Sequence, residues 1–249
     1  MIQAFEQARV PLFVAYYRRA LPRFRAARDA VASGRLGEVT GVTYRYAAPH
    51  HQGLDPSRLP WRLVAEQAGG GLLLDLGSHT LDILDYVLGP LTSVSGAAAN
   101  CASACDVEDS VAMSFRTQGG VPGTALWSFA AASRADRIEI IGTDGNLSIG
   151  TFSDDPLEVI VRGKTEQLTL PNPEHIQQPL IQTVVDALEG KGSCPSTAVS
   201  AARTSAVMDE ALASYYGARD GAFWLEPDRW PGRRAAYRIG AQPLNWPVG

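Results

Sequence analysis

Asp75, His79, Asp82 and Tyr86 follow one another at spacings of 4, 3 and 4 residues in the segment GGGLLLDLGSHTLDILDYVLG, residues 69–89. At about 3.6 residues per turn, this spacing predicts that the four share one narrow helical face. A carboxylate one turn from a histidine can hydrogen-bond to it. It can also fix the tautomer and support the protonated ring, as a general acid/base requires. Nearly every other position from Leu72 to Leu88 is apolar, so the helix is expected to be buried. A polar stripe on a buried helix must find partners or face a wet cavity.

Two other readings fit the same residues. In the plainer one, Asp75 complements the helix dipole, His79 is a satisfied interior histidine and Asp82 pairs with an arginine elsewhere. In the other, Asp75, His79 and Asp82 join His50 or His51 around a divalent metal, although the His50-His51 pair falls in an expected solvated loop. Three glycines, Gly69, Gly70 and Gly71, precede the helix and would permit a tight turn and close approach of a ligand to the backbone.

The elements that must position this face are legible from periodicity. Residues 1–8 read as the end of a helix, and residues 11–17 (PLFVAYY) as a buried strand. A helix is expected over residues 22–33, stopped by Gly34, then a strand over 39–47 and a loop over 49–60. From residue 91 to about 169, short β-rich runs alternate with turn residues. They fall at 93–99, 110–116, 123–131, 137–142, 146–149 and 157–161, which predicts an antiparallel sheet. Two helices follow, over 177–189 and 200–216, and then a tail rich in Trp, Pro and Arg. The expected class is α+β: a large, mostly antiparallel, open-faced sheet with the helices gathered on one face.

Composition narrows the function classes. The 249 residues carry a formal net charge of −4 and no long basic run, which argues against a nucleic-acid partner. No apolar stretch approaches the roughly 20 residues of a membrane span, and no secretory leader is recognisable at the start. Three cysteines, Cys101, Cys105 and Cys194, read as reduced thiols in a cytoplasmic protein. The only lysines are Lys164 and Lys191.

Taken together, these stretches resemble the Gfo/Idh/MocA family of NAD(P)-dependent oxidoreductases. VAYYRRALPRF (14–24) is similar to the family's last nucleotide-domain strand and the helix that opens the second domain. SGRLGEV (33–39) resembles the link into the first strand of the sheet, and IGTDGNL (141–147) a hairpin within it. PWR (60–62) and GGGLLLDLGSHTLD (69–82) resemble the segment that supplies the family's catalytic aspartate and histidine, here Asp75 and His79.

The resemblance implies sugar or polyol dehydrogenase chemistry with NAD or NADP. His79 would be the acid/base and Asp75 its orienter, while Trp61, Arg62 and Asp82 would line the substrate pocket. Tyr16, Tyr17, Arg18, Gly70 and Gly71 would lie near the nicotinamide. No metal is implied.

The family's Gly-x-Gly-x-x-Gly turn and Glu-Lys-Pro motif have no counterpart here. The expectation is therefore a truncated chain: residues 1–17 a remnant of the dinucleotide-binding Rossmann domain, 18–249 the substrate-binding and oligomerisation domain. Such a chain would bind no cofactor alone and be inactive by itself. It would pair as a homodimer or homotetramer through its open sheet face. Two alternatives are a non-catalytic assembly module that pairs through the sheet and a metal-dependent isomerase or hydrolase.

Overall fold

Alternation of side chains settles the two faces of the sheet. In β3 (Ser110–Thr117), Val111, Met113 and Phe115 are buried while Ala112, Ser114 and Arg116 are exposed. In β4 (Pro122–Ser128), Ala125 and Trp127 are buried while Thr124 and Leu126 are exposed. The computed structural model describes residues 1–233, and the remainder of the expected 18–249 domain lies outside the described residues.

The other strands are β1 (Val39–Pro49), β2 (Leu91–Ala99), β5 (Ala130–Gly142), β6 (Gly145–Ile149), β7 (Leu157–Val161) and β8 (Lys164–Leu168). They form one eight-stranded sheet in the order β2-β3-β4-β1-β5-β6-β7-β8. Every neighbouring pair is antiparallel except β1 and β4, which run parallel. After β1 the chain makes its helical excursion and re-enters at the edge as β2, and two hairpin steps then bring β4 alongside β1.

The helices are α1 (Ile2–Ala8), α2 (Pro22–Ala32), α3 (Ala65–Ala68), α4 (Ser78–Leu88), α5 (Gln178–Leu188) and α6 (Ala198–Tyr216). Phe24 and Ala27 of α2, Leu81, Ile83 and Leu84 of α4, and Ala211, Leu212 and Tyr215 of α6 join the inward residues of the sheet in one core. Gly96 of β2 lets α6 lie directly on the sheet, since a Cβ there would stand 2.3 Å from the Ala211 carbonyl oxygen. A capping box between Thr197 and Ser200 starts α6.

Two local expectations need correction. Residues 11–17 are not a strand. Phe13 forms a single bridge to Thr197, and hydrogen bonds from Val14 N to Ser196 O and from Ala198 N to Leu12 O tie the segment to the start of α6. The helix expected over 69–89 is not one regular helix either. Residues Leu73–Gly77 wind as a π-helical turn before α4 begins.

Candidate functional site

The π turn decides how Asp75 and His79 relate. Its hydrogen bonds run from i to i+5, so the register slips against that of a regular α-helix. Asp75 and His79 make no hydrogen bond among the described residues. Asp75 Oδ2 instead accepts from Arg62 Nε at 2.7 Å, and the Arg62 guanidinium lies over the Trp61 ring, 4.5 Å from its centroid. Trp61 is 52% exposed. Ring, guanidinium and carboxylate therefore form a half-open shelf with an apolar wall and fixed polar groups, features that suit a sugar face.

His79 stands at the junction of α4 with the segment before α2. Tyr16 and Tyr17 present ring edges to it, with centroids 5.7 and 5.6 Å away. Its Nδ1 is buried with no partner among the described residues. Burial, with the nearby Arg18 guanidinium, pulls the imidazole down to about 4 against the opposing pull of Asp75. The ring is thus neutral at physiological pH, a proton acceptor, and not the carboxylate-supported cation that the spacing suggested.

Asp82 does not line a pocket. It is 0% exposed and accepts from both Arg19 Nε and Nη2, at 2.8 and 2.7 Å. Burial pushes its carboxyl up to about 6, the Arg19 fork opposing. Arg19 also reaches Asp85 at 3.0 Å, and Arg203 closes on Asp85 at 2.7 Å. This buried network joins the 17–20 turn, α4 and α6. Removing one partner of such a pair typically costs about 3–5 kcal/mol. Tyr86, the fourth residue of the expected face, packs its ring against Arg19 and Arg28, at 5.4 and 4.7 Å.

The glycines also differ from expectation. Their freed space is filled by the protein itself. A Cβ on Gly71 would meet the Glu108 carboxyl at 2.6 Å, and one on Gly70 would meet Leu74 at 2.9 Å. The Gly71 N–H donates to Glu108 Oε2 at 3.0 Å, and the Tyr216 hydroxyl donates to the same oxygen. Glu108 is wholly buried, and burial raises its pKa. Its carboxyl anchors the turn ahead of the Asp75 segment, a role with no sequence signal beyond an acidic residue in a loop.

The histidines of the metal reading have partners of their own. His51 is 4% exposed and shares its Nδ1 with Ser103 Oγ at 2.7 Å, while His50 stacks on Tyr46 and meets its hydroxyl at 2.7 Å. Among the described residues, no group of three His, Cys, Asp or Glu side chains is placed to hold a metal ion. No described helix is long and apolar enough to cross a membrane.

Comparison with known proteins adds the following. Residues 24–148 match the GFO/IDH/MocA C-terminal domain. The chain is 27% identical over 212 residues to oxidoreductase P35 of Formosa agariphila, covering 84% of this chain and 64% of that protein. It is 31% identical over 206 residues to the 1,5-anhydro-D-fructose reductase of Ensifer adhaerens, covering 79% of this chain and 60% of that protein. It therefore spans less than two thirds of either relative. An Agrobacterium radiobacter oxidoreductase solved with NAD+, L-tartaric acid and magnesium shares the fold, with TM-score 0.72 and 21% identity over 86% of this chain and 65% of that one.

Proposed function

Because the chain belongs to the Gfo/Idh/MocA family, we propose that it is the substrate side of an NAD(P)-dependent dehydrogenase acting on a CH–OH group of a sugar or polyol. The observation that carries this reading is the neutral, partner-free His79 beside the Trp61–Arg62–Asp75 shelf. An orphaned buried imidazole nitrogen calls for a polar ligand group, and a substrate hydroxyl answers it. Similarity to the 1,5-anhydro-D-fructose reductase of Ensifer adhaerens supports the choice of a sugar or polyol as substrate.

The shelf holds the sugar, with Trp61 against a ring face and Arg62 donating to its hydroxyls. His79 takes the hydroxyl proton as the carbonyl forms, and returns it in the reverse direction. A bound nicotinamide would accept the hydride from the same carbon. Tyr16 and Tyr17, whose edges meet His79, would border it. Arg62 fixes Asp75 at the rim, where its carboxylate can accept from a second hydroxyl.

We assign cofactor binding itself to a nucleotide-binding domain, so the chain alone should not bind NADH or NADPH at micromolar concentration. Two measurements test the function. Calorimetry of the chain with NADH and NADPH should show no such binding. Fusion of a relative's nucleotide-binding domain ahead of residue 1 should give nicotinamide reduction with a panel of polyols and anhydro sugars. A folded, cofactor-binding fusion inert to the whole panel would overturn the reading.

A further inference from the structure

Behind His79 lies a polar assembly that neither the shelf nor the acid/base step uses. At its centre is Asp136 of β5, whose carboxylate gathers four donors. Oδ1 accepts the Thr151 amide at 3.0 Å and the Tyr44 hydroxyl at 3.2 Å. Oδ2 accepts the amides of Phe152 and, at 2.8 Å, Ser153. Three successive N–H groups converging on one carboxylate form a fixed anion nest. The Tyr44 hydroxyl in turn accepts from Thr80 Oγ1 at 3.2 Å, and Thr80 follows His79 on α4. One side chain thus links β5, β1, α4 and the loop after β6.

That loop holds Arg18. The Thr151 carbonyl accepts from Arg18 Nε at 3.0 Å, and the Phe152 ring centroid lies 4.6 Å from its Cζ. Tyr17, which also meets His79, lies 4.8 Å from the same carbon. Arg23 secures the far side of the loop through the carbonyls of Gly150, Ser153 and Asp155.

Arg18 is only 8% exposed, its Nη1 has no partner, and it makes no ion pair among the described residues. Arg19 beside it has two carboxylates. Burying a guanidinium with no carboxylate in contact is costly, and although Asp136 and Tyr17 oppose that cost from a distance, the loop that confines Arg18 has a consequence for whatever stands nearby.

We propose that Asp136 is a positioning residue: by fixing the turn at Thr151, Phe152 and Ser153, it keeps the Arg18 guanidinium, which has no carboxylate in contact, against Tyr17 at the edge of His79, and through that charge governs the proton state of the imidazole. The proposal rests on the reading of His79 as the acid/base. The groups facing His79 are Tyr16, Tyr17 and Arg18 from the segment before α2, and Asp75 from the π turn. Asp82, one turn along, is paired with Arg19. Of the two charges acting on the ring, Arg18 disfavours its protonation and Asp75 favours it.

The sign of the effect separates positioning from direct electrostatics. Deleting a negative charge lowers the pKa of any imidazole that feels it. Releasing Arg18 from the loop raises that of His79. The test is an NMR titration of the His79 ring, assigned by its loss in His79→Gln, in the parent chain, Asp136→Asn, Phe152→Leu and Arg18→Met. The parent ring should stay neutral to about pH 5, while each of the last three should titrate higher by about one pH unit. A purely structural Asp136 would lower the unfolding temperature and leave the midpoint in place.

An unmoved or lowered midpoint in folded Asp136→Asn overturns the proposal. If that variant does not fold, Phe152→Leu decides, because it removes the ring under Arg18 and keeps the backbone bonds to Asp136. No cofactor or turnover enters the measurement, so failure of the dehydrogenase reading would show in the fusion assay and not here.

Discussion

Arg62 Nε stands 2.7 Å from Asp75 Oδ2, and the side chains are 49% and 36% exposed. The aspartate at the start of the chemistry-bearing segment is thus held by an arginine on the shelf, not by the histidine one turn on. A pair this open contributes about 0–1 kcal/mol to stability. Asp75→Asn and Arg62→Met should therefore leave the unfolding temperature nearly unchanged. In the fusion enzyme both should weaken sugar affinity. Loss of one charge-assisted hydrogen bond, worth about 1.5–3 kcal/mol, corresponds to roughly a tenfold or greater rise in KM. Unchanged KM in both variants would remove the shelf from the substrate site.

His79→Gln should separate function from folding. The ring's Nδ1 has no partner to lose, so the variant should fold at least as well as the parent. Loss of a positioned acid/base lowers turnover by about 10²–10⁴-fold, with KM changed far less. A variant that unfolds would make His79 a structural residue, and full turnover in a folded one would dismiss it from the mechanism.

Mild acid should destabilise the protein through its buried histidines, with Asp82, held up at about 6, opposing the loss. Burial holds both His51 and His79 down to about 4, below their ordinary 6.5. Between those limits the unfolded chain binds two histidine protons that the folded chain refuses, while Asp82, raised to about 6, returns one in the opposite sense. Stability therefore falls as pH drops from about 7 toward 4. Each histidine accounts for about 3 kcal/mol when the difference is complete. Denaturant titrations at pH 7 and pH 5 should show the drop, and His79→Gln should reduce it. Equal stability at the two pH values would contradict the buried neutral rings.

The sequence displayed the sheet because alternation is local: Val111, Met113 and Phe115 announce a face wherever the strand pairs. It did not display β8, whose residues 164–167 are exposed along an edge and whose segment KTEQL carries no apolar alternation. The parallel pairing of β1 with β4 joins segments about eighty residues apart, and nothing in either strand names its neighbour. Residues 11–17 have the apolar texture of a strand but meet one bridge partner and no sheet. At the site, spacing singled out Asp75 and His79, and the family resemblance alone added Trp61 and Arg62. Their partners were hidden, since a 3.6-residue period assumes a regular helix and the π turn breaks it. Asp136 and Glu108 were hidden for another reason, because each acts on a backbone turn that exists only once the loop has folded.

The outer face of the sheet supplies the last prediction. Registers align Ala97, Ala112, Leu126 and Arg45 in one row across β2, β3, β4 and β1, and Ser95, Ser114, Thr124 and Thr43 in the next. All eight are exposed, Leu126 by 43%, and only Arg45 is charged. Across β5 and β7 the face turns ionic, with Arg137 3.7 Å from Glu158. A half-sheet of small residues around one leucine, with Arg45 and Arg116 toward its margins, lets a second sheet approach closely, and monomers rarely leave such a surface beyond roughly a few hundred Å². A two-fold axis over β3 and β4 would set equivalent strands against each other. We expect a homodimer, or a tetramer built from it, by light scattering at micromolar concentration. Leu126→Arg should give a folded monomer, because the side chain is solvent-exposed within the single chain and the core does not depend on it. A parent chain that scatters as a monomer would show that the half-sheet needs no partner, and a dimer untouched by Leu126→Arg would place the interface elsewhere.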